Sequence, residues 1–370
     1  MGTDGPLTYW DYIRVEDLLD LQGGVEDDEV DLANEEVVFI TVHQVFELWF
    51  KLVLRELRTA RDLFCRDVVA NQELSGAARS LDRVITILGR ATDHFLVMET
   101  LSTRDYLAFR DKLTTASGFQ SAQMRELEIV LGLDSAERID AGPAGNWLEM
   151  LRNHDGSESW SSRRVLAALN ERHSLKEAIE RWLARTPIDG VAHDDPDAET
   201  KLGEFIANFL QAHAREADSA CDVAIAQGGD GVDPQARRLR AEKEKEAVRA
   251  FFEPSEEEGG IERARIRCAM MFIETYRELP LLAWPREVLD KLVEAEQAFV
   301  LFRQRHARMV ERIIGRRTGT GGSSGVDYLD AVAQTYRVFR DLWAIRTLQI
   351  RREAAPPLAN PDYYGFAHDA

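Results

Sequence analysis

Apolar residues recur at helical spacing along nearly the whole chain, and no stretch alternates as a half-buried strand would. Residues 35–64 read as one helix with no glycine or proline to interrupt it. Its first half is apolar almost all round, which predicts burial on several sides. A second helix is predicted over about 77–99, with Leu81, Val84, Ile85, Ile87 and Leu88 among its apolar positions. A third starts near Ser102, where Asp105 completes an imperfect capping box, and stops at Gly118 in S-G-F-Q-S. Another begins at about Ala122. From about 142 to 260 the chain turns polar, with breaker clusters at 153–159 and 188–197. The charged tract R-A-E-K-E-K-E at 240–246 suits a solvated helix face. Helical pattern resumes at Ile261, stops at Pro280 and Pro285, and runs on over 286–314. A last helix is predicted over about 327–351, ahead of a proline-rich tail. The predicted class is all-α: one domain over 1–370, carrying an inserted helical subdomain at about 142–260.

At 370 residues the chain is long enough for a sizeable core. Its net charge of −19 argues against nucleic acid or an anionic membrane as a partner. The cysteines, Cys65, Cys221 and Cys268, are far apart, with no C-x-x-C and no C-x-x-C-H. A reducing cytoplasm is the matching compartment. The first residues show no basic and apolar tandem of a secretory signal. The most apolar window, 37–54, could span a bilayer by length. It contains His43, Gln44, Glu47 and Lys51, so it reads as a core helix and no membrane partner is expected.

Several chemistries are excluded by spacing. No glutamate stands three residues before any histidine, so the E-x-x-H pairs of a di-iron bundle are missing, and there is no H-E-x-x-H. The run R-R-T-G-T-G-G-S-S-G at 316–325 lacks the G-K-[ST] of a phosphate loop and follows a helix, not a strand. What remains is a set of residues that singly fit ordinary roles. His306 shares a helical stripe with Phe299, Phe302, Val310 and Ile313. Such a histidine is more often a core residue bonded to a carbonyl than a ligand, yet a neutral imidazole in an apolar wall, its other nitrogen held by an outer partner, is also what an axial haem ligand needs. His43, between Phe39 and Phe46, invites the same two readings. Tyr106 and Arg110 share a helix face. The arginine can snorkel to water or, turned inward, bind a carboxylate with its planar fork. Thr320 supplies a hydroxyl in the glycine loop, and Ser117 and Gly118 a helix stop. Together these suit an aromatic amino acid beside a flat cofactor.

Three motifs in order carry a resemblance. F-I-T-V-H-Q-V-F-E-L-W-F-K (39–51), D-Y-L-A-F-R-D-K-L (105–113) with A-S-G-F-Q-S (116–121), and F-R-Q-R-H-A-R-M-V-E-R-I-I-G-R-R-T-G-T-G-G-S-S-G (302–325) resemble tryptophan 2,3-dioxygenase. Weaker similarity runs through E-R-W-L-A-R-T-P (180–187) and 261–300, so the likeness covers nearly the whole chain. It implies an all-helical enzyme with one haem b per subunit, assembled as a homotetramer. The reaction implied is cleavage of the indole C2–C3 bond of L-tryptophan by O2, giving N-formylkynurenine. By the resemblance His306 is the proximal iron ligand and His43 the distal histidine near the indole N–H. Arg110 and Thr320 hold the amino acid's charged groups, Phe39 and Tyr106 wall the indole, Ser117 lines the distal pocket against substrate and cofactor, and Gly118 lies beside the cofactor. Tyr9 and Tyr12 match a segment that reaches into a neighbouring subunit's site.

Two positions depart from the family's pattern. Trp10 stands in Y-W-D-Y where glycine is usual, and Phe302 replaces a tryptophan four residues before the proximal histidine, keeping an aromatic but losing an N–H donor. They leave two other readings: a relative inserting one oxygen into a substituted tryptophan or other aromatic amino acid, and a haem-binding sensor without turnover. A clamp made of Arg110 and Thr320 argues against the sensor, which has no need of one.

Overall fold

The computed structural model describes residues 7–25, 27–113, 120–134, 148, 151–153, 155–228, 233–254, 259–317 and 325–365. The described residues are helical, with one isolated bridge between Ile188 and Val191 as their sole extended pairing, so the all-α class holds. Two short helices, α1 (Tyr9–Ile13) and α2 (Val15–Leu19), precede the long α3 (Asn34–Phe64) and α4 (Leu74–Met98). α5 (Thr103–Phe109) tightens into a 3-10 turn over Arg110–Leu113 and is followed by α6 (Ala122–Leu131). The polar middle supplies α7 (Trp160–Leu169), α8 (Leu175–Leu183) and a hairpin of α9 (Ala198–Gln227) and α10 (Pro234–Phe252). α11 (Gly260–Thr275), α12 (Ala283–Ile314), α13 (Val326–Thr335) and α14 (Arg340–Leu348) complete the order.

The core is organised by one pattern repeated on three helices. On α4 the buried residues Leu74, Ala77, Leu81, Val84, Leu88, Ala91, Phe95 and Met98 alternate in steps of three and four. α3 keeps the same rhythm from Phe46 through Phe50, Val53, Leu57 and Ala60 to Phe64. α12 keeps it from Pro285 through Val288, Leu292, Ala295, Phe299 and Phe302. A three-four repeat places these residues on one narrow stripe, the seam by which long helices pack side by side. Each fully buried leucine or phenylalanine in it contributes about 2 kcal/mol. α4 runs antiparallel to α3, since Arg83 pairs with Glu56 while Phe95 meets Phe46. It runs parallel to α12, since Lys291 pairs with Asp82 and Arg305 with Glu99. α3 has the length and apolar composition of a membrane span, and here its stripe is part of the core.

Continuing the rhythm backwards along α3 reaches His43, Phe39 and Glu36; continuing it forwards along α12 reaches His306, Met309 and Ile313. Both histidines therefore stand at seam positions, where a leucine would otherwise serve.

Local signals set most helix ends. Ser102 accepts from the Asp105 backbone N–H while the Asp105 carboxylate accepts from the Ser102 N–H, so the predicted box forms in full. α12 begins at Ala283 and not after Pro285, because a proline in the first turn has no hydrogen bond to lose. The predicted helix over 327–351 is broken between Thr335 and Arg340. The carboxylate of Glu296, buried on α12, accepts from the Val338 and Phe339 backbone N–H groups and from the Trp343 indole. That partner compensates the donors exposed when α14 starts afresh.

Candidate functional site

Phe39 and His43 project from one face of α3 with ring centroids 4.1 Å apart. Tyr106 and Phe109 of α5 close on the same phenylalanine at 6.0 and 5.4 Å. The four rings make a continuous aromatic corner. The next turn of α3 brings Phe46, which meets Phe95 of α4 at 4.7 Å and Phe302 of α12 at 5.9 Å. Phe95 lies flat against His306, 5.4 Å between centroids and 9° between planes. A path of touching rings thus joins His43 to His306 across the open end of the seam.

His43 is exposed and His306 half-buried by accessible surface, yet enough protein surrounds both rings to desolvate them. Desolvation lowers the pKa of His306 to about 4, with repulsion from His43 adding to it. His43 is also held below its ordinary value, chiefly by desolvation, although its bond to Phe39 opposes this. Both rings are therefore neutral at pH 7. The Nδ1 of His43 lies 2.7 Å from the Phe39 carbonyl oxygen. A carbonyl only accepts, so Nδ1 carries the hydrogen and Nε2 keeps a free lone pair. His306 differs. Among the described residues its ring has aromatic neighbours, Phe95 and Phe302, and no hydrogen-bond partner. The outer-shell partner that an axial ligand commonly has is replaced here by a stacked ring.

The flat iron cofactor suggested by the sequence can be tested against these donors. Among the described residues no cluster of three or more histidine, cysteine or acidic side chains could hold a bare metal ion. A single neutral imidazole with no competing partner fits a cofactor that brings its other ligands and needs one axial bond. The donor set fits.

Arg110 sits at the end of α5, within electrostatic range of the Tyr106 hydroxyl; burial raises that phenol's pKa and the guanidinium partly offsets the rise. Ser117, Gly118 and Thr320 lie outside the described residues. Their flanks are fixed. Lys112 donates to Glu36 at 2.8 Å, and Ser121 donates to Glu47 at 2.6 Å. Glu36 and Glu47 bracket Phe39 and His43 on a single stripe of α3, so both flanks of the S-G-F-Q-S segment are tied to the helix face that carries the site. Arg316 pairs with Asp327 across the glycine run. Tyr9 and Tyr12 lie elsewhere: they are 72% and 76% exposed on α1 and make no ring contact among the described residues. Gln22 donates to Gln44 at 2.6 Å and Gln44 donates to the Leu21 carbonyl, which anchors the segment beside His43.

Phe46, Phe95 and Phe109 line the same corner; the sequence marks Phe46 only as a flank of His43 and gives Phe95 and Phe109 no site role. Their signal is present, since Phe46 and Phe95 fall on the three-four stripes. Which stripe faces which helix is a tertiary fact that one helix cannot disclose.

A family model described as Tryptophan 2,3-dioxygenase matches residues 2–349 of the chain. The Tryptophan 2,3-dioxygenase of Sorangium cellulosum is 51% identical over 97% of this chain and 87% of its own length. Tryptophan 2,3-dioxygenase 2 of Ralstonia nicotianae is 47% identical over 99% of both chains. A Tryptophan 2,3-dioxygenase-like protein of Xanthomonas campestris is 42% identical over 72% of this chain and 98% of its own length.

Proposed function

From the premise that this chain belongs to the tryptophan 2,3-dioxygenase family, we propose that the recess between α3, α4, α5 and α12 is its active site. The enzyme is an oxidoreductase that cleaves the indole C2–C3 bond of L-tryptophan with O2 to give N-formylkynurenine. The observation that carries the assignment is the pair of neutral histidines on facing seams. One has a hydrogen-bonded Nδ1 that leaves Nε2 as the acceptor, and the other has no hydrogen-bond partner among the described residues.

Each gets the role its state permits. His306 holds the iron of one haem b per subunit. When bound, haem supplies the activation of O2. His43 turns its Nε2 lone pair to the indole N–H, orienting the ring and accepting charge from it. Phe39, Tyr106 and Phe109 wall the indole and exclude water. Arg110 binds the amino-acid carboxylate as a planar fork. Thr320 closes over the ammonium and carboxylate, and Ser117 and Gly118 line the cofactor's edge. Tyr9 and Tyr12 reach the pocket of a neighbouring subunit in a homotetramer. The protein works as one 1–370 domain with an inserted segment at about 142–260, in the cytoplasm, without nucleic acid or membrane as partner.

The test is product identification. Ferrous, haem-loaded protein mixed anaerobically with L-tryptophan and then exposed to labelled O2 gives N-formylkynurenine with both labelled atoms. Haem-loaded protein that forms none, or a product carrying one atom, refutes the assignment.

A further inference from the structure

One turn before His306, α12 carries Arg303, which is 8% exposed. Its Nη2 donates to Glu128 Oε1 on α6 at 2.8 Å. Its guanidinium lies 4.1 Å from the Phe299 ring centroid and 4.8 Å from that of Tyr336, at the end of α13. Arg125, also buried, donates to the other oxygen of Glu128 at 3.1 Å, and Tyr328 of α13 stands against Arg125. A cavity of about 10 Å³ beside Arg303 is lined by Glu128, Phe299, Tyr336 and Glu296.

Burying such a triad is a poor way to gain stability, because desolvation of the charges cancels most of their attraction. What it does supply is a unique geometry. Apolar seams tolerate small slides and rotations of a helix, whereas a fork held between two rings and one carboxylate accepts a single placement. The elements it joins are the ones that carry the site. α6 is capped by Ser121, tied to Glu47 one turn beyond His43. α13 starts where the glycine run ends, and α12 bears His306. Because His306 has no hydrogen-bond partner among the described residues, nothing polar on its own ring fixes its direction.

We infer that the Arg125–Glu128–Arg303 triad sets the rotation of α12 against α6 and α13, so that Glu128 and Arg303 are positioning residues for the axial histidine. This rests on the axial role of His306 proposed above. Arg303→Lys keeps the charge and loses the fork and its stacking. Glu128→Asp keeps the charge and shortens the reach. In the ferrous holoenzyme the iron–histidine stretching band reports ring orientation directly, by resonance Raman. The band shifts or splits in Arg303→Lys while haem affinity falls about tenfold, as for loss of an outer partner of a metal ligand. Helical circular dichroism stays unchanged. Arg308→Gln, which removes an exposed pair between α12 and Asp330 of α13, leaves band and affinity as they were. If Arg303→Lys does not fold, Glu128→Asp decides the matter by the same two readings. Wild-type band and affinity in the folded variants overturn the inference. A wild-type holoenzyme with no iron–histidine band refutes the axial role itself and takes this inference with it.

Discussion

The bond from His43 Nδ1 to the Phe39 carbonyl decides which nitrogen is offered to a ligand, and it spans only four residues of one helix turn. Burial then decides the charge. Desolvation holds the pKa of His43 below its ordinary 6.5, so the acceptor Nε2 survives into mildly acidic solution. Protonation occurs only as pH falls below that value, and it removes the acceptor. The acid limb of kcat/KM for tryptophan is therefore centred below 6.5; a limb centred above 6.5 contradicts the role, and His43→Asn abolishes the limb. Arg110 gives a different signature. Arg110→Ala removes charged hydrogen bonds made equally to bound substrate and transition state, costing roughly 2 kcal/mol, or about thirtyfold in KM with kcat little changed. Steady-state kinetics that show an unaltered KM remove Arg110 from the clamp. Both residues were legible in the sequence as chemistry in an apolar setting. Their packing neighbours were not, because those come from helices distant in sequence.

Elements differ in how locally they are specified. The box at Ser102 and Asp105 spans three residues, and the structure returns it as read. The break between α13 and α14 has no local warning: no proline or glycine lies in 336–339, and its cause is a carboxylate 42 residues away in sequence. Glu296 serves two backbone donors and one indole N–H. Glu296→Ala leaves two buried backbone donors and a part-buried indole N–H without this acceptor, which costs about 3 kcal/mol. Chemical denaturation shows this as a lower midpoint with an unchanged slope, and a midpoint equal to wild type means that the break has another cause. The seams of α3, α4 and α12 were only half legible. Their residues could be read as apolar, but the three-four rhythm carries meaning only once the facing helices are known. That rhythm explains why two histidines in separate segments converge, since each takes the seam position where the stripe leaves the closed core.

At the scale of the whole molecule, the N-terminal segment is the part that a single chain leaves unfinished. Tyr9, Trp10 and Tyr12 are each more than half exposed, and Leu7 and Ile13 add to the same apolar surface. A cluster of this kind needs a partner surface. The Gln22–Gln44 bond fixes where the segment departs, one residue along α3 from His43, yet the aromatics make no ring contact with their own subunit's corner among the described residues. The proposed delivery to a neighbour's recess would account for both facts and would make the site a property of the assembly. A mixing experiment separates delivery in trans from delivery in cis. An Arg110→Ala subunit has a damaged pocket and an intact segment; a Tyr9→Ala/Tyr12→Ala subunit has the reverse. Each homo-oligomer is impaired. If segments act in trans, co-assembly pairs an intact pocket with an intact segment, and activity rises above the mean of the two parents. If they act in cis, no pocket in the mixture is whole, and the activity of the hybrid stays at that mean.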